Sequence, residues 1–165
     1  MTNSNCVVVC DAGPIIHLDE LNQLSLLFDF STIFVTQTVA KEVEKHRPIH
    51  LNEWPLEIVS EPVIDLQLSV LAKAYGLHTG EISALSFART QNHVILLTDD
   101  AAARLAATQM SLRVHGTIGI LLRAVRTGLK SVSEIKSCLE SIPHSSTLHI
   151  QANLIHHAIE ELEKY

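Results

Sequence analysis

The sequence is short of cysteine and of long apolar runs, and each shortage excludes a class of protein. The cysteines, Cys6, Cys10 and Cys138, form no CxxC pair, and an odd number suits a disulfide framework poorly. No apolar run approaches the roughly 18 residues that a membrane span needs. The first residues lack the basic stretch and apolar core of a secretory signal. We therefore expect a cytoplasmic protein with reduced cysteines and no membrane partner.

Positive charge is also scarce. The chain has 12 Lys and Arg against 18 Asp and Glu, which gives a formal net charge of −6. An acidic protein has no general attraction for nucleic acid, so binding one would require metal ions or a local basic surface. The rest of the composition is that of a globular protein. The 165 residues, 47% of them hydrophobic, suffice for one compact domain with a sizeable core.

Short apolar runs alternate with helical patterns along the chain. Runs without polar alternation, which suit strands buried on both faces, occupy residues 6–10, 32–36, 56–59 and 94–97, with a weaker one at 112–115. Right-handed crossovers between such strands place helices on both faces of a parallel sheet. The sequence therefore predicts a three-layer α/β/α fold with a central, mostly parallel sheet of four to five strands.

Several helix boundaries can also be predicted. Thr79 is the expected N-cap of a helix that carries Glu81 in its first turn. Residues 131–141 form one further helix, and an amphipathic helix beyond Pro143 is expected to cover the core or a partner.

Acidic residues stand where the strands and helices of this fold meet. Asp11 and Asp99 each end a central strand, with Asp100 next to Asp99. Glu42 lies on the helix after the second strand, and Glu81 begins a helix beside the same edge. Each residue alone is explained as a helix cap or a solvated acid. Because open parallel sheets bind ligands beyond the carboxyl ends of their strands, we expect these acids to converge in one cleft.

A group of carboxylates is electrostatically tolerable mainly when hard divalent cations hold it together. Mg²⁺ or Mn²⁺ suits ligands that are all oxygen, and two such ions about 4 Å apart can stabilise the attacking and leaving oxygens of a phosphodiester. The acids therefore predict metal-dependent hydrolysis of a phosphate ester.

Other chemistries of α/β proteins fail specific tests. The sequence has no GxGxxG, no GxxxxGK[ST] and no GxSxG motif. An aspartyl phosphatase would carry a DxD signature after the first strand, whereas Asp11 is followed by Ala12 and Gly13. A receiver domain would carry its acidic pair after the first strand, but here the pair follows the fourth.

Two clusters near the C-terminal end are interpreted as ordinary surface. A basic stripe on one predicted helix suits a solvated face better than a phosphate site; it comprises Arg123, Arg126 and Lys130. Nearby histidines lack a cysteine pair or an HExxH pattern, so no zinc site is expected; they are His144, His149, His156 and His157.

Residues 7–18, 35–43, 80–85 and 97–100, read as VVVCDAGPIIHL, VTQTVAKEV, GEISAL and LTDD, carry a family resemblance. In this order and spacing they resemble PIN-domain proteins, metal-dependent nucleases that include the VapC-type toxins of bacterial toxin-antitoxin pairs. The resemblance covers a core of about residues 6–129 within a single domain, 1–165. A helical extension at about 131–165 departs from the usual pattern.

The resemblance implies a role for each acid. It places Asp11, Glu42, Glu81 and Asp99 in the quartet that holds Mg²⁺ or Mn²⁺, with Asp100 as an additional acid. Thr98 would be the hydroxyl residue that precedes the fourth acid and orients a ligand or water. Single-stranded RNA is the implied substrate, a homodimer the implied assembly, and an antitoxin a possible partner. Glu81 departs from the pattern, because many toxin members have aspartate there.

These inferences lead to one hypothesis and two alternatives. The hypothesis is a Mg²⁺- or Mn²⁺-dependent endoribonuclease, possibly the toxin of a toxin-antitoxin pair. One alternative is a PIN-like module that binds RNA or protein without cutting, which the acidic charge and the C-terminal helices favour. The other is a metal-dependent phosphatase that acts on small phosphate esters.

Overall fold

The sheet is five-stranded and wholly parallel. A computed structural model describes residues 6–165; residues 1–5, on which the expectation of no secretory signal partly depends, lie outside it. The strands are β1 (Val7–Cys10), β2 (Thr32–Thr36), β3 (Leu56–Val59), β4 (Ile95–Leu97) and β5 (Arg113–His115). Their order is β3-β2-β1-β4-β5, and every neighbouring pair is parallel. The predicted three-layer α/β/α fold is confirmed.

Helices connect and cover the strands. They are α1 (Ala12–Glu20), α2 (Gln37–His46), α3 (Leu66–Tyr75), α4 (Thr79–Thr90), α5 (Ala101–Gln109), α6 (Thr117–Arg126), α7 (Val132–Ser145) and α8 (Ala152–Leu162), with 3₁₀ turns at Leu24–Asp29 and Leu51–Glu53. Among residues 6–165, no helix combines the length and the apolar character needed to cross a bilayer. All three cysteines are unpaired, as predicted.

The central strands carry apolar side chains on both faces because helices cover both. Val8, Val9 and Ile33 are fully buried, and Leu96 is 1% exposed. Where β1 ends, the backbone N–H of Asp11 donates to the carbonyl of Leu97 on β4 at 2.9 Å. The pairing of these two strands therefore fixes the first acid at the carboxyl edge of the sheet.

Two predicted boundaries are wrong. The N-cap of α4 is His78, and Thr79 is the first helical residue. The Glu81 carboxylate accepts the backbone N–H of His78 at 2.7 Å, and this contact starts the helix one residue earlier than expected. Helix α7 does not end before Pro143 but runs through it to Ser145. Proline lacks a backbone N–H, so this position costs α7 one helical hydrogen bond, and the helix continues past it.

The C-terminal helices hold a short segment across the carboxyl edge of the sheet. Helix α8 buries Ile155, Ala158 and Leu162, as its amphipathic pattern predicts. Residues 146–151, here called the strap, join α7 to α8. Glu20 at the end of α1 anchors the strap, because its carboxylate accepts the Ser146 hydroxyl and the Thr147 N–H, both at 2.7 Å.

Candidate active site

The predicted acids line one open cleft beyond the carboxyl ends of β1 and β4. The cleft has a volume of about 280 Å³. Its acidic lining consists of Asp11, Glu42, Glu81, Asp99 and Asp100. His17 of α1, His78 and strap residues 147–149 complete the wall. Residues far apart in the sequence thus meet in one cavity, at the edge where parallel sheets bind ligands.

Asp11 is the most deeply buried acid of the cleft, at 6% exposure. Its Oδ2 accepts the Thr98 hydroxyl and its Oδ1 accepts the Ala12 N–H, each at 2.9 Å. Burial raises the pKa of Asp11 to about 7; the two hydrogen bonds act in the opposite direction, and the nearby charges of Glu81 and Glu42 raise it further. A charged Asp11 is therefore costly unless a cation lies beside it.

Asp99 is held rigidly by donors from two helices. Its Oδ1 accepts the backbone N–H of Thr117 at 2.7 Å, and its Oδ2 accepts the Thr117 hydroxyl at 2.6 Å. Nδ1 of His17 also lies 2.7 Å from Oδ2. The N-terminus of α6, where Thr117 stands, favours a negative charge at this point. These contacts leave the Asp99 carboxylate little freedom to rotate.

Glu42 reaches the cleft through a gap left by a glycine. A Cβ placed on Gly80 would collide with Oε2 of Glu42 and lie 3.8 Å from Oδ1 of Asp11. Glu42 is half-buried, although its neighbours Lys41 and Glu44 are exposed. The absence of a side chain at position 80 therefore lets the Glu42 carboxylate approach Asp11.

Glu81 and Asp100 face the cleft but also serve as helix caps. Glu81 is 14% exposed and accepts the His78 N–H. Oδ1 of Asp100 accepts the Ala103 N–H at 2.7 Å and caps α5. Both acids therefore have a structural role as helix caps in addition to their position in the cleft. Their position alone does not assign them a catalytic role.

A comparison with known families adds to this geometry. A family model described as a PIN domain matches residues 7–164. The chain belongs to the PIN-domain family. PIN domains are generally nucleases, so the chain has a nuclease-type fold. The match includes α7 and α8, whereas the resemblance inferred from sequence ended near residue 129. No curated protein matches the chain.

The ligand atoms in the cleft of this PIN domain are of the kind that a hard cation binds. Its acids offer only oxygen ligands, which Mg²⁺ and Mn²⁺ prefer. Among residues 6–165, however, no three His, Cys, Asp or Glu side chains converge closely enough to form a ready metal cage. The oxygens of Asp99 and Glu81 already accept hydrogen bonds from the protein. Each carboxylate oxygen has two lone pairs, so these acids can bind a cation while they keep their present hydrogen bonds.

Sequence reasoning did not single out several functional contacts of the PIN domain. His17 contacts Asp99 across 82 sequence positions, and Thr117 does so across 18. The strap follows all five acids in the sequence. Only Thr117 had a local signal, since a Gly-Thr pair after a strand predicts a helix start.

Substituting Gly80 with alanine is expected to lower nuclease activity of this PIN domain about tenfold, through the misplacement of Glu42. The new methyl group would displace the Glu42 carboxylate, which lies at the end of a flexible side chain and can swing away. The free energy of unfolding should stay constant or rise by about 0.5 kcal/mol, because alanine favours a helix more than glycine does. Cleavage rate and urea unfolding measure the two effects.

The control is a double-mutant cycle with Glu42→Gln. If Gly80→Ala acts through Glu42, the double variant cleaves no more slowly than Glu42→Gln alone. Additive losses would show that Gly80 matters for another reason.

Proposed function

We propose that this PIN domain is a Mg²⁺- or Mn²⁺-dependent endoribonuclease that hydrolyses phosphodiester bonds of single-stranded RNA. The observation that supports the proposal most directly is the buried carboxyl of Asp11 in a cleft shared with Glu42, Glu81 and Asp99. Negative charge concentrated in this way requires a cation, and a metal-dependent hydrolase supplies one.

Each acid has a proposed part. Asp11, Glu81 and Asp99 would bind metal, and Glu42 would position metal or water. When bound, Mg²⁺ or Mn²⁺ would supply Lewis-acid stabilisation of the negative charge that develops on the phosphodiester. Asp100 would add negative charge at the rim while it caps α5.

Neighbouring groups keep these acids in position. The Thr98 hydroxyl orients Oδ2 of Asp11, and Thr117 and His17 orient Asp99. Asp11 would release its proton on binding a cation, because its pKa of about 7 reflects burial without one. Orientation of the carboxylates and release of this proton are the tasks that the chain's own residues perform.

A non-cutting module that binds RNA or protein is the second candidate. It is favoured by the hydrogen bonds that already satisfy Asp99 and Glu81, and by the net charge of −6. A phosphatase for small phosphate esters is the third candidate. An antitoxin partner and a homodimer remain predictions. Exposed apolar side chains supply a surface of the kind that dimers bury; they are Val63, Ile64, Leu66 and Val70.

One assay separates the candidates: incubation of the purified protein with labelled single-stranded RNA and Mn²⁺. Cleavage that EDTA abolishes and that Asp99→Asn lacks would support the nuclease. A mobility shift without cleavage would support the binding module, and release of phosphate from a simple ester without RNA cleavage would support the phosphatase. RNA cleavage that persists in EDTA would contradict the proposed metal dependence.

A further inference from the structure

A second groove adjoins the acidic cleft. It runs between α6 and the strap, and Asp99, Leu148 and His149 line both cavities. Its floor is apolar and consists of Ile118, Leu122, Leu148, Ile150 and Leu154. Arg104 and His115 stand along the same groove. The cleft and the groove are therefore neighbours that share part of their lining.

The groove carries positive charge in an acidic protein. The exposed Arg104 donates to the carbonyl of Thr98 at 3.3 Å, and within residues 6–165 it forms no ion pair with a carboxylate. Burial lowers the pKa of His115, and the charges of surrounding arginines, first of them Arg104 and Arg126, lower it further. The guanidinium of Arg104 thus remains available to an anion at the edge of the cleft.

The predicted basic stripe of α6 differs from this arrangement. Arg123 forms an ion pair with Asp29 at 2.6 Å and lies over the ring of Phe30. Lys130 pairs with Glu134. The arginine that lines the groove is instead Arg104 on α5, a residue that the helical stripe did not include.

We propose that this groove binds the nucleotide next to the scissile phosphate, with its base against the apolar floor and its phosphate on Arg104. The inference rests on the proposed nuclease function and names the part of the protein that holds the flanking strand. An apolar surface beside a single cation matches the two halves of a nucleotide, a flat base and an anionic phosphate.

The test measures RNA binding in a background that does not cut. Asp99→Asn protein with Mg²⁺ is titrated into a labelled single-stranded oligoribonucleotide of about ten nucleotides, and fluorescence anisotropy is followed at several salt concentrations. Arg104→Gln is compared with Arg113→Gln in the same background. Arg113 is the matched control, since it also lies near His115 but donates to the carbonyl of His93, outside the groove.

Arg104→Gln is expected to weaken binding about tenfold and to reduce the salt dependence by about 0.7 in the logarithmic slope, as expected for the loss of one phosphate contact. The RNA affinity of Arg113→Gln should stay within about twofold of that of the Asp99→Asn background, because this variant removes the same charge without removing a contact to RNA. Leu154→Glu, at a half-exposed floor position, should also weaken binding.

Equal affinities for Arg104→Gln and Arg113→Gln, or no RNA binding at all, would overturn the groove assignment. The cleavage assay with wild-type protein keeps the two proposals separate. Cleavage with no specific effect of Arg104 overturns only the groove, whereas binding that depends on Arg104 without cleavage overturns only the nuclease.

Discussion

Asp11→Asn is expected to reduce RNA cleavage about a thousandfold or more and, in metal-free buffer at about pH 8, to raise the free energy of unfolding by about 2 kcal/mol. The loss of activity follows from the proposed role of Asp11 as a metal ligand. The gain in stability follows because Asp11 is buried, lies near Glu42 and Glu81, and has a pKa of about 7 instead of 3.8. The amide of asparagine keeps the shape of the side chain without the charge.

The pH dependence of this gain has a definite sign. Between about pH 4 and pH 7 the folded protein keeps a proton on Asp11 that the unfolded chain has lost, so the contribution of this group to stability falls as pH rises. The difference between Asp11→Asn and wild type should therefore be small below about pH 4 and reach its maximum above about pH 7. Thermal unfolding in EDTA across this range measures it, with an expected difference in Tm of about 4–8 °C at the plateau.

Asp100→Asn is the matched control for this prediction. It makes the same chemical change in the same cleft, but Asp100 caps α5 through the Ala103 N–H, and asparagine caps helices equally well. Its Tm should stay within about 2 °C of wild type at every pH. If wild type were as stable as Asp11→Asn in metal-free buffer above about pH 7, burial of the charged Asp11 would carry no cost in stability.

The sequence predicts those parts of the site that depend on local sequence patterns. Apolar runs without polar alternation mark β1 and β4 as central strands. Asp11 follows β1 directly, and Asp99 follows β4 after Thr98. Parallel strands end at one edge, so the two acids had to be near each other once the fold was known. Placing Glu42 and Glu81 in the site required the family resemblance as well, because a glutamate on a helix is usually solvated.

The parts that the sequence does not predict depend on how distant elements pack. His17 on α1 contacts Asp99 in the connection after β4, and neither the periodicity of α1 nor the apolar run of β4 specifies this contact. The anchoring of the strap by Glu20 joins residues 126 and 127 positions apart. The error at Thr79 has a local cause. Threonine is the better N-cap on average, but Glu81 reaches back to His78 and decides the start of the helix.

Gly116→Ala is expected to reduce RNA cleavage about a hundredfold through displacement of Asp99, and to lower the free energy of unfolding by about 2 kcal/mol. A Cβ at this position would lie 2.5 Å from Oδ1 of Asp99 and 3.2 Å from the backbone carbonyl oxygen of Thr98. Asp99 cannot retreat as Glu42 can at Gly80, because Thr117 holds both of its oxygens. Cleavage rate and urea unfolding are the measurements.

Gly13→Ala tests whether the rigidity of Asp99, and not mere crowding, causes this loss. A Cβ on Gly13 would also approach Asp99, but at 3.7 Å from its Cβ and its Oδ2, which is ordinary van der Waals contact. Because alanine favours the helix α1, the variant should be as stable as wild type or more stable by about 0.5 kcal/mol, with most of its cleavage retained. If Gly116→Ala cleaved RNA as fast as Gly13→Ala, the hydrogen bonds that hold Asp99 would have no role in positioning it for catalysis.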